Sequence, residues 1–171
     1  MAQTTFSGPV LSQNGVGFLG SIIPGLTGLT ASTVATATTL TYAANTITVN
    51  NYTGAAAQTV TLPAAKAGVV VVHAQSVDTT GGTNTLSFDC AGTDVFATGS
   101  VFESRSANAV TFDTSTAGET KLEYTPANAG TNLFSIGSYI YFTCVQNGTW
   151  QESADLKSIG AGTTGAFAFA A

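Results

Sequence analysis

The side chains that perform most hydrolytic and metal-dependent chemistry are scarce in this sequence. It contains one histidine, His73, and two cysteines, Cys90 and Cys144. A catalytic triad needs a base, usually histidine, within hydrogen-bond distance of its nucleophile. His73 lies in the most apolar run of the chain, so we interpret it as a histidine of the core or of an interface. One histidine and two separated cysteines do not have the spacing of a zinc site, and the cysteines fit either a disulfide or two buried free thiols.

Carboxylates are the remaining candidates for chemistry, because a pair of them can act as the acid and base of a glycosidase. The nine acidic residues are Asp78, Asp89, Asp94, Glu103, Asp113, Glu119, Glu123, Glu152 and Asp155. None lies in a recognisable sugar-binding context, and their spacing matches no calcium loop. Residues 15–17 lack the third glycine and the following helix of a phosphate-binding loop. The sequence therefore predicts no catalytic residues, no cofactor and no metal ligands, and we expect a protein that is not an enzyme.

The composition excludes two classes of partner. Charged side chains make up 8 % of the sequence, against about 25 % in an average soluble protein, and the net charge is −5. The basic residues are scattered and form no stripe: Lys66, Arg105, Lys121 and Lys157. Because affinity for nucleic acid depends on Lys and Arg that neutralise phosphates, we expect no nucleic-acid partner. Residues 1–8 lack the basic start of a signal peptide, and residues 16–35 are too broken by Gly, Pro, Ser and Thr to cross a membrane.

From about residue 40 the chain shows short apolar runs or alternating patterns separated by turn residues, which predicts strands. The predicted strands are 46–49, 58–62, 69–73, 84–89, 109–112, 120–125 and 138–146. The β-branched run 69–73 is typical of a strand covered on both faces. Asn147-Gly148, between two apolar runs, predicts a hairpin with a type I′ turn. Strands at roughly ten-residue spacing with no convincing helix predict an all-β fold, an antiparallel sandwich or a jelly-roll-like barrel.

The two ends of the chain differ from this middle part. Residues 1–38 carry no charged side chain and follow neither a helical nor a strand period, so we interpret them as an extended N-terminal arm that needs a partner surface. Its candidate contact residues are Phe6, Val10, Leu11, Phe18, Leu19, Ile22, Ile23, Leu26 and Leu29. Residues 39–157 form the predicted β-domain. Residues 158–171 form a Gly-rich linker followed by a strand or tail.

Some aromatic residues leave two interpretations open. Phe167 and Phe169 near the C-terminus fit either a last strand on the same core or a strand given to a neighbouring subunit. Tyr139 and Tyr141 share one strand face, and with Trp150 they are the only candidates for a sugar-binding surface. Core packing is the interpretation that we favour for these three.

Three segments resemble small head proteins of tailed bacteriophages, including those of marine cyanobacteria. They are residues 6–15 (FSGPVLSQNG), residues 59–68 (TVTLPAAKAG) and residues 162–167 (GTTGAF). The three segments are distributed along most of the chain, from residue 6 to residue 167. The resemblance implies a capsid decoration, or cement, protein.

Such proteins sit on the outer surface of the virion head as homotrimers, after assembly in the host cytoplasm. They bind the major capsid protein and clamp its subunits against the pressure of packaged DNA, and the family has no catalytic residues. The alternative is a tail, fibre or head-fibre component, or an adhesin-like module, that binds a host surface. In that case exposed loops such as residues 81–84 and 128–132 would carry recognition.

Overall fold

The structure, a computed structural model, describes residues 28–31, 38–80, 82, 84–105, 110–126, 134–157 and 165–171. All regular elements within these ranges are strands, which confirms the predicted all-β fold. In chain order they are β1 (Gly28–Ala31), β2 (Thr39–Thr41), β3 (Thr46–Asn50), β4 (Gln58–Thr61), β5 (Val70–Gln75), β6 (Leu86–Asp89), β7 (Val95–Phe96), β8 (Val101–Arg105), β9 (Val110–Thr114), β10 (Lys121–Thr125), β11 (Tyr139–Gln146), β12 (Thr149–Asp155) and β13 (Ala166–Ala170).

Two sheets pack face to face as a β-sandwich. Sheet A has the strand order β1-β3-β5-β11-β12-β7, sheet B has the order β13-β10-β6-β4-β2, and β8 and β9 form a separate two-stranded sheet. Aromatic rings from the two sheets meet in the core. The ring of Phe88 on β6 lies 5.1 Å from that of Phe142 on β11 and 5.0 Å from that of His73 on β5. Trp150 is also fully buried in this core, as its position after the hairpin turn predicted.

Strand pairing is mixed, whereas the sequence predicted antiparallel pairing. Strands β2 to β6 alternate between sheet B and sheet A, so each sheet receives every second strand. The chain reverses its direction at each crossing between the sheets, so two crossings restore the original direction. Strands β2, β4 and β6 are therefore parallel to one another, and β3 is parallel to β5. Strands β10 and β13, and likewise β11 and β12, pair antiparallel. Local hydrophobic patterns carry no information on this alternation.

The hairpin predicted at Asn147-Gly148 is confirmed, but its turn is not of type I′. That type needs positive φ at both central residues, and only Gly148 has one, at 80°. The Oδ1 atom of Asn147 accepts a hydrogen bond from the amide of Ala67 at 2.9 Å. The register of β11 and β12 also shifts between Cys144 and Gln146. This bulge adds the twist that a type I′ turn would otherwise supply.

The C-terminal strand belongs to the chain's own core. Phe167 and Phe169 are 5 % and 8 % exposed, and the ring of Phe167 lies 4.6 Å from that of Phe102 and 4.8 Å from that of Tyr124. The backbone amide of Phe169 donates to a carboxylate oxygen of Asp113 at 2.6 Å. This arrangement agrees with the first interpretation of the sequence, a last strand on the same core. The intersubunit contact suggested for these two phenylalanines is therefore not retained.

The end of the predicted N-terminal arm forms part of sheet A. Gly28–Ala31 is strand β1, which pairs in parallel with β3 and places Leu29 in register with Ile47. The other candidate contact residues of the arm lie outside the described residues. They are Phe6, Val10, Leu11, Phe18, Leu19, Ile22, Ile23 and Leu26.

Candidate interaction surface

The outer face of sheet A carries two cross-strand rows of apolar side chains. In one row Ile47 of β3, Val72 of β5 and Tyr141 of β11 are in register, and in the other Val49, Ala74 and Tyr139 are. Neighbouring strands lie about 4.8 Å apart, so side chains within a row can touch. We call these six residues the outer apolar face.

Strand β3 shows how unusual this face is. Its buried side chains are Thr46, Thr48 and Asn50, while Ile47 and Val49 are only partly buried and point away from the core. A sandwich strand with one solvated face normally turns its apolar residues inward. Here the polar residues face inward, which leaves an apolar surface on the outside. A contiguous apolar surface outside the core is a candidate contact surface.

The centre of the outer apolar face is buried although it lies outside the core. Val72 is 1 % exposed and Ala74 is 8 % exposed, but neither belongs to the cluster of core residues between the sheets. Val71 and His73, which alternate with them along β5, point into the core and are fully buried. The prediction that this run is covered on both faces is therefore confirmed.

The two tyrosines at the β11 side of the face are more open. Tyr139 is 38 % exposed, and its ring lies 6.3 Å from that of Tyr141 with an interplanar angle of 24°. Core packing was therefore the wrong interpretation for this pair, because the alternation along β11 gives the inward positions to Ile140 and Phe142. On β12 the rows continue as Ser153 and Asp155, both of which are exposed.

The buried face of β3 takes part in a polar network between the two sheets. The Nδ1 atom of His73 lies 2.7 Å from the hydroxyl of Tyr42, and its Nε2 atom lies 3.3 Å from Oε1 of Gln75. Since an amide oxygen can only accept, Nε2 carries the proton and Nδ1 accepts from Tyr42. The Nδ2 atom of Asn50 donates to Tyr42 and, at 2.7 Å, to Gln58 on β4.

This environment keeps His73 neutral. Burial lowers its pKa to about 3, an effect that the hydrogen bond with Gln75 opposes only in part. His73 is therefore a satisfied core histidine, one of the two roles that the sequence suggested, and it supplies no base to the surface.

A second buried titratable group, Glu152, lies on the inner face of β12. It is 9 % exposed, and neither carboxylate oxygen has a hydrogen-bond partner of good geometry. Burial raises its pKa to about 7, although the Ser100 side chain opposes part of this rise.

Burial, with the carboxylates of Asp94, Asp89 and Glu152, raises the pKa of Cys90 to about 12. Cys90 and Cys144 are both free, so Cys90 is a protonated thiol with little nucleophilic character.

Other exposed apolar side chains lie away from sheet A. Val101 on β8 and Phe112 on β9 are 53 % and 63 % exposed. Phe112 pairs with Glu103, two residues from Val101 on the same strand, so both point to one face of the β8–β9 sheet. Ile136 and Val145 are exposed in the region of β11. These side chains are small contact points rather than a continuous patch.

Sequence reasoning missed the outer apolar face as a surface. The run 69–73 did indicate that β5 is covered twice, but no local pattern shows which strands lie beside it. The face exists only because β3, β5 and β11, which are distant in sequence, come into register.

Among the described residues no group of three or more His, Cys, Asp or Glu side chains could hold a metal ion. No helix in the described part of the chain has the length and apolarity that a membrane span requires. Comparison of the chain with protein families, with curated proteins and with solved structures found no match.

Proposed function

We propose that this protein is a capsid decoration protein. It binds the outside of a phage head as a homotrimer and stabilises the contacts between major capsid protein subunits. The observation that carries the proposal is the uncharged N-terminal segment, whose residues 6–15 resemble those of phage head proteins. The trimer comes from the same resemblance. In this role the chain uses contact energy and no chemical step.

The fold supports the proposal because it anchors that segment at the edge of a sheet. Strand β1 pairs along four residues with β3, and residues 1–27 precede it in the sequence. Extended chain spans about 3.3 Å per residue. A segment of fifteen residues, the length of residues 1–15, therefore has a maximum span on the order of 50 Å. This distance is sufficient to cross from a protein of this size onto a neighbouring subunit.

The charge and surface of the β-domain are also suited to a head exterior. The net charge of −5 keeps the protein away from nucleic acid. Exposed apolar side chains such as Phe112 and Val145 offer contact points with little desolvation cost. In a trimer three such subunits act together, and each further arm binds at high effective concentration.

Co-sedimentation with purified phage heads tests the proposal. The full-length protein should pellet with heads, and a variant that lacks residues 2–15 should stay in the supernatant. Deletion must stop before Gly28, because a longer one removes β1 and disturbs sheet A. A control is the variant Thr116→Ser at an exposed position, which should pellet like the wild type. Absence of the full-length protein from the pellet at any head concentration would contradict the proposal.

A second candidate function, binding to a host surface, is favoured by one observation. The near-parallel rings of Tyr139 and Tyr141 are partly exposed and bordered by the polar residues Ser153 and Asp155. Tyrosines with one apolar and one polar part are typical of recognition surfaces. Labelled protein should then bind host cells, and Tyr139→Ala should reduce this binding while Phe112→Ala should not. No binding of the wild type to cells would exclude this candidate.

A further inference from the structure

We propose that the β8–β9 ribbon is a pH-responsive element of this fold. It stays packed against β12 while Glu152 is uncharged, and it separates from β12 when Glu152 ionises. The ribbon consists of β8 (Val101–Arg105) and β9 (Val110–Thr114), together with residues 97–100 that precede β8. This inference does not depend on the proposed role on phage heads.

The ribbon closes one side of the sandwich. It belongs to neither of the two large sheets, and β8 contacts both β12 of sheet A and β13 of sheet B. Phe102 on the inner face of the ribbon is 2 % exposed, and its ring lies 4.6 Å from that of Phe167 on β13. The ribbon therefore shields from water the part of the core that lies near β12 and β13.

Individual hydrogen bonds attach the ribbon to the sheets. In the described part of the chain no strand ladder joins it to sheet A or to sheet B. On the sheet A side the amide of Ala97 donates to the carbonyl of Trp150 at 2.8 Å. On the sheet B side the amide of Phe169 donates to the carboxylate of Asp113 at 2.6 Å. A segment held in this way opens locally at a lower free energy than the ladders of the sheets do.

Glu152 lies at the sheet A side of the ribbon. It follows Trp150 by two residues on the inner face of β12, and the side chain of Ser100, directly before β8, interacts with its carboxyl group. Glu152 is 9 % exposed, and neither of its oxygens has a hydrogen-bond partner of good geometry. An ionised carboxylate at this position lacks the hydrogen bonds and the water that a buried charge requires. The closed ribbon therefore favours the uncharged form of Glu152.

The groups around Glu152 do not offset a negative charge. On β11 its neighbour in register is Phe142, and the inward residues of β13 are likewise aromatic. The thiol of Cys90, directly after β6, interacts with Glu152 but is uncharged, because its pKa is raised to about 12. Burial is accordingly the main reason why the pKa of Glu152 is raised to about 7. Further titratable groups near this region, on the two sides of Cys90 and on the ribbon, are all carboxylates: Asp89, Asp94, Glu103 and Asp113.

Ionisation of Glu152 therefore acts on the ribbon. The charge requires water, and β12 itself is held by its ladder to β11, so the ribbon is the part that moves. A cavity of about 260 Å³ beside β8 and the end of β12 offers water an approach to this side of the core. Its lining residues are Glu103, Ala154, Asp155 and Leu156.

The size of the response follows from the pKa of the Glu152 carboxyl in the two states of the ribbon. With a value of 4.5 when water reaches it and about 7 when it is buried, the closed ribbon holds a proton between these pH values that the open ribbon releases. The open population therefore rises with pH, by about tenfold between pH 6 and pH 8.

Hydrogen exchange of the full-length protein at pH 6 and pH 8, corrected for the intrinsic exchange rate at each pH, tests the inference. Amides of β8 and β9 should lose about tenfold in protection between these pH values, through an opening that low concentrations of urea do not affect. Amides of the β11–β12 ladder should be more protected and sensitive to urea, because they exchange through global unfolding. In Glu152→Gln the protection of the ribbon should be the same at both pH values, and Glu123→Gln controls for the substitution itself.

Two results would overturn the inference. One is a loss of ribbon protection with pH that is the same in the wild type and in Glu152→Gln. The other is exchange of the ribbon amides at the same rate and with the same urea sensitivity as the β11–β12 ladder, since the ribbon then opens only when the whole protein unfolds.

Ser115→Ala gives a second test that leaves Glu152 in place. The hydroxyl of Ser115 accepts a hydrogen bond from the amide of Ser100 at 3.0 Å and donates to the carbonyl of Ala97, so it ties the start of β8 to the end of β9. The variant should increase exchange in the ribbon more than in the β11–β12 ladder and should keep the tenfold pH response. Thr116→Ser, at the exposed neighbouring position, should do neither. An equal increase in the ribbon and the ladder would contradict a ribbon that opens separately.

Discussion

Replacement of Glu152 by glutamine should remove a pH dependence from the free energy of unfolding. Burial raises the pKa of this carboxyl from 4.5 to about 7. Between these pH values the folded protein holds a proton that the unfolded chain releases. Since stability falls with pH wherever the folded state binds more protons, the contribution of Glu152 is complete below pH 4.5. It is lost as the pH rises through 7.

The size of the effect follows from the two pKa values. Each pKa unit corresponds to about 1.4 kcal/mol, so a rise from 4.5 to about 7 corresponds to about 3 kcal/mol. Remaining access of water to the carboxyl reduces this figure, and we expect about 2–3 kcal/mol. Glu152→Gln should therefore be more stable than the wild type by this amount at about pH 8 and equally stable near pH 4.5.

Urea unfolding at a series of pH values measures the difference, with the fluorescence of the buried Trp150 as the signal. Glu123→Gln on β10, where the side chain is only partly buried, is the matched control for the Glu-to-Gln substitution itself. A difference between Glu152→Gln and the wild type that is the same at every pH would refute the reasoning. So would equal stabilities at about pH 8.

Three further predictions concern the core. In the Glu152→Gln background the free energy of unfolding should fall by about 1.4 kcal/mol per pH unit as the pH drops from 6.5 towards 3. Between these pH values His73 binds a proton in the unfolded chain but not in the folded protein. A urea-unfolding profile that does not change with pH would contradict this. Changing Phe167 and Phe169 to Ser should lower the melting temperature without changing the oligomer mass, and a change in mass alone would contradict their place in the core. Gly165→Ala should destabilise the protein by about 1–3 kcal/mol more than Gly99→Ala, since both glycines have positive φ but an added Cβ at Gly165 meets Tyr124 at 2.6 Å; equal unfolding free energies would contradict the clash.

The sequence predicts strands well where the local pattern is strong. The run 69–73 and the Asn147-Gly148 turn identified β5 and the β11–β12 hairpin, because β-branched runs and Asn-Gly turns act over a few residues. The aromatic alternation at Phe167 and Phe169 likewise indicated a strand, but the partner of that strand depends on β10, about 45 residues away in sequence. Nothing local to the tail specifies that pairing.

The arrangement of the strands could not be predicted for a related reason. The pattern Thr-Ile-Thr-Val-Asn in β3 separates two faces without saying which is inward. Asn50 faces inward because Tyr42 and Gln58 are there to accept its hydrogen bonds. The same holds for Tyr139 and Tyr141. Their alternation is clear in sequence, but their outward direction follows from the burial of the wholly apolar residues Ile140 and Phe142 on the other face of β11.

The proposed role on the phage head is tested most directly by immunogold electron microscopy of the source virions with antibody to the recombinant protein. Decoration of capsids predicts gold distributed over the heads. Gold confined to the tail or its tip would contradict the proposal in favour of host recognition, and no gold on any particle would remove the protein from the virion altogether.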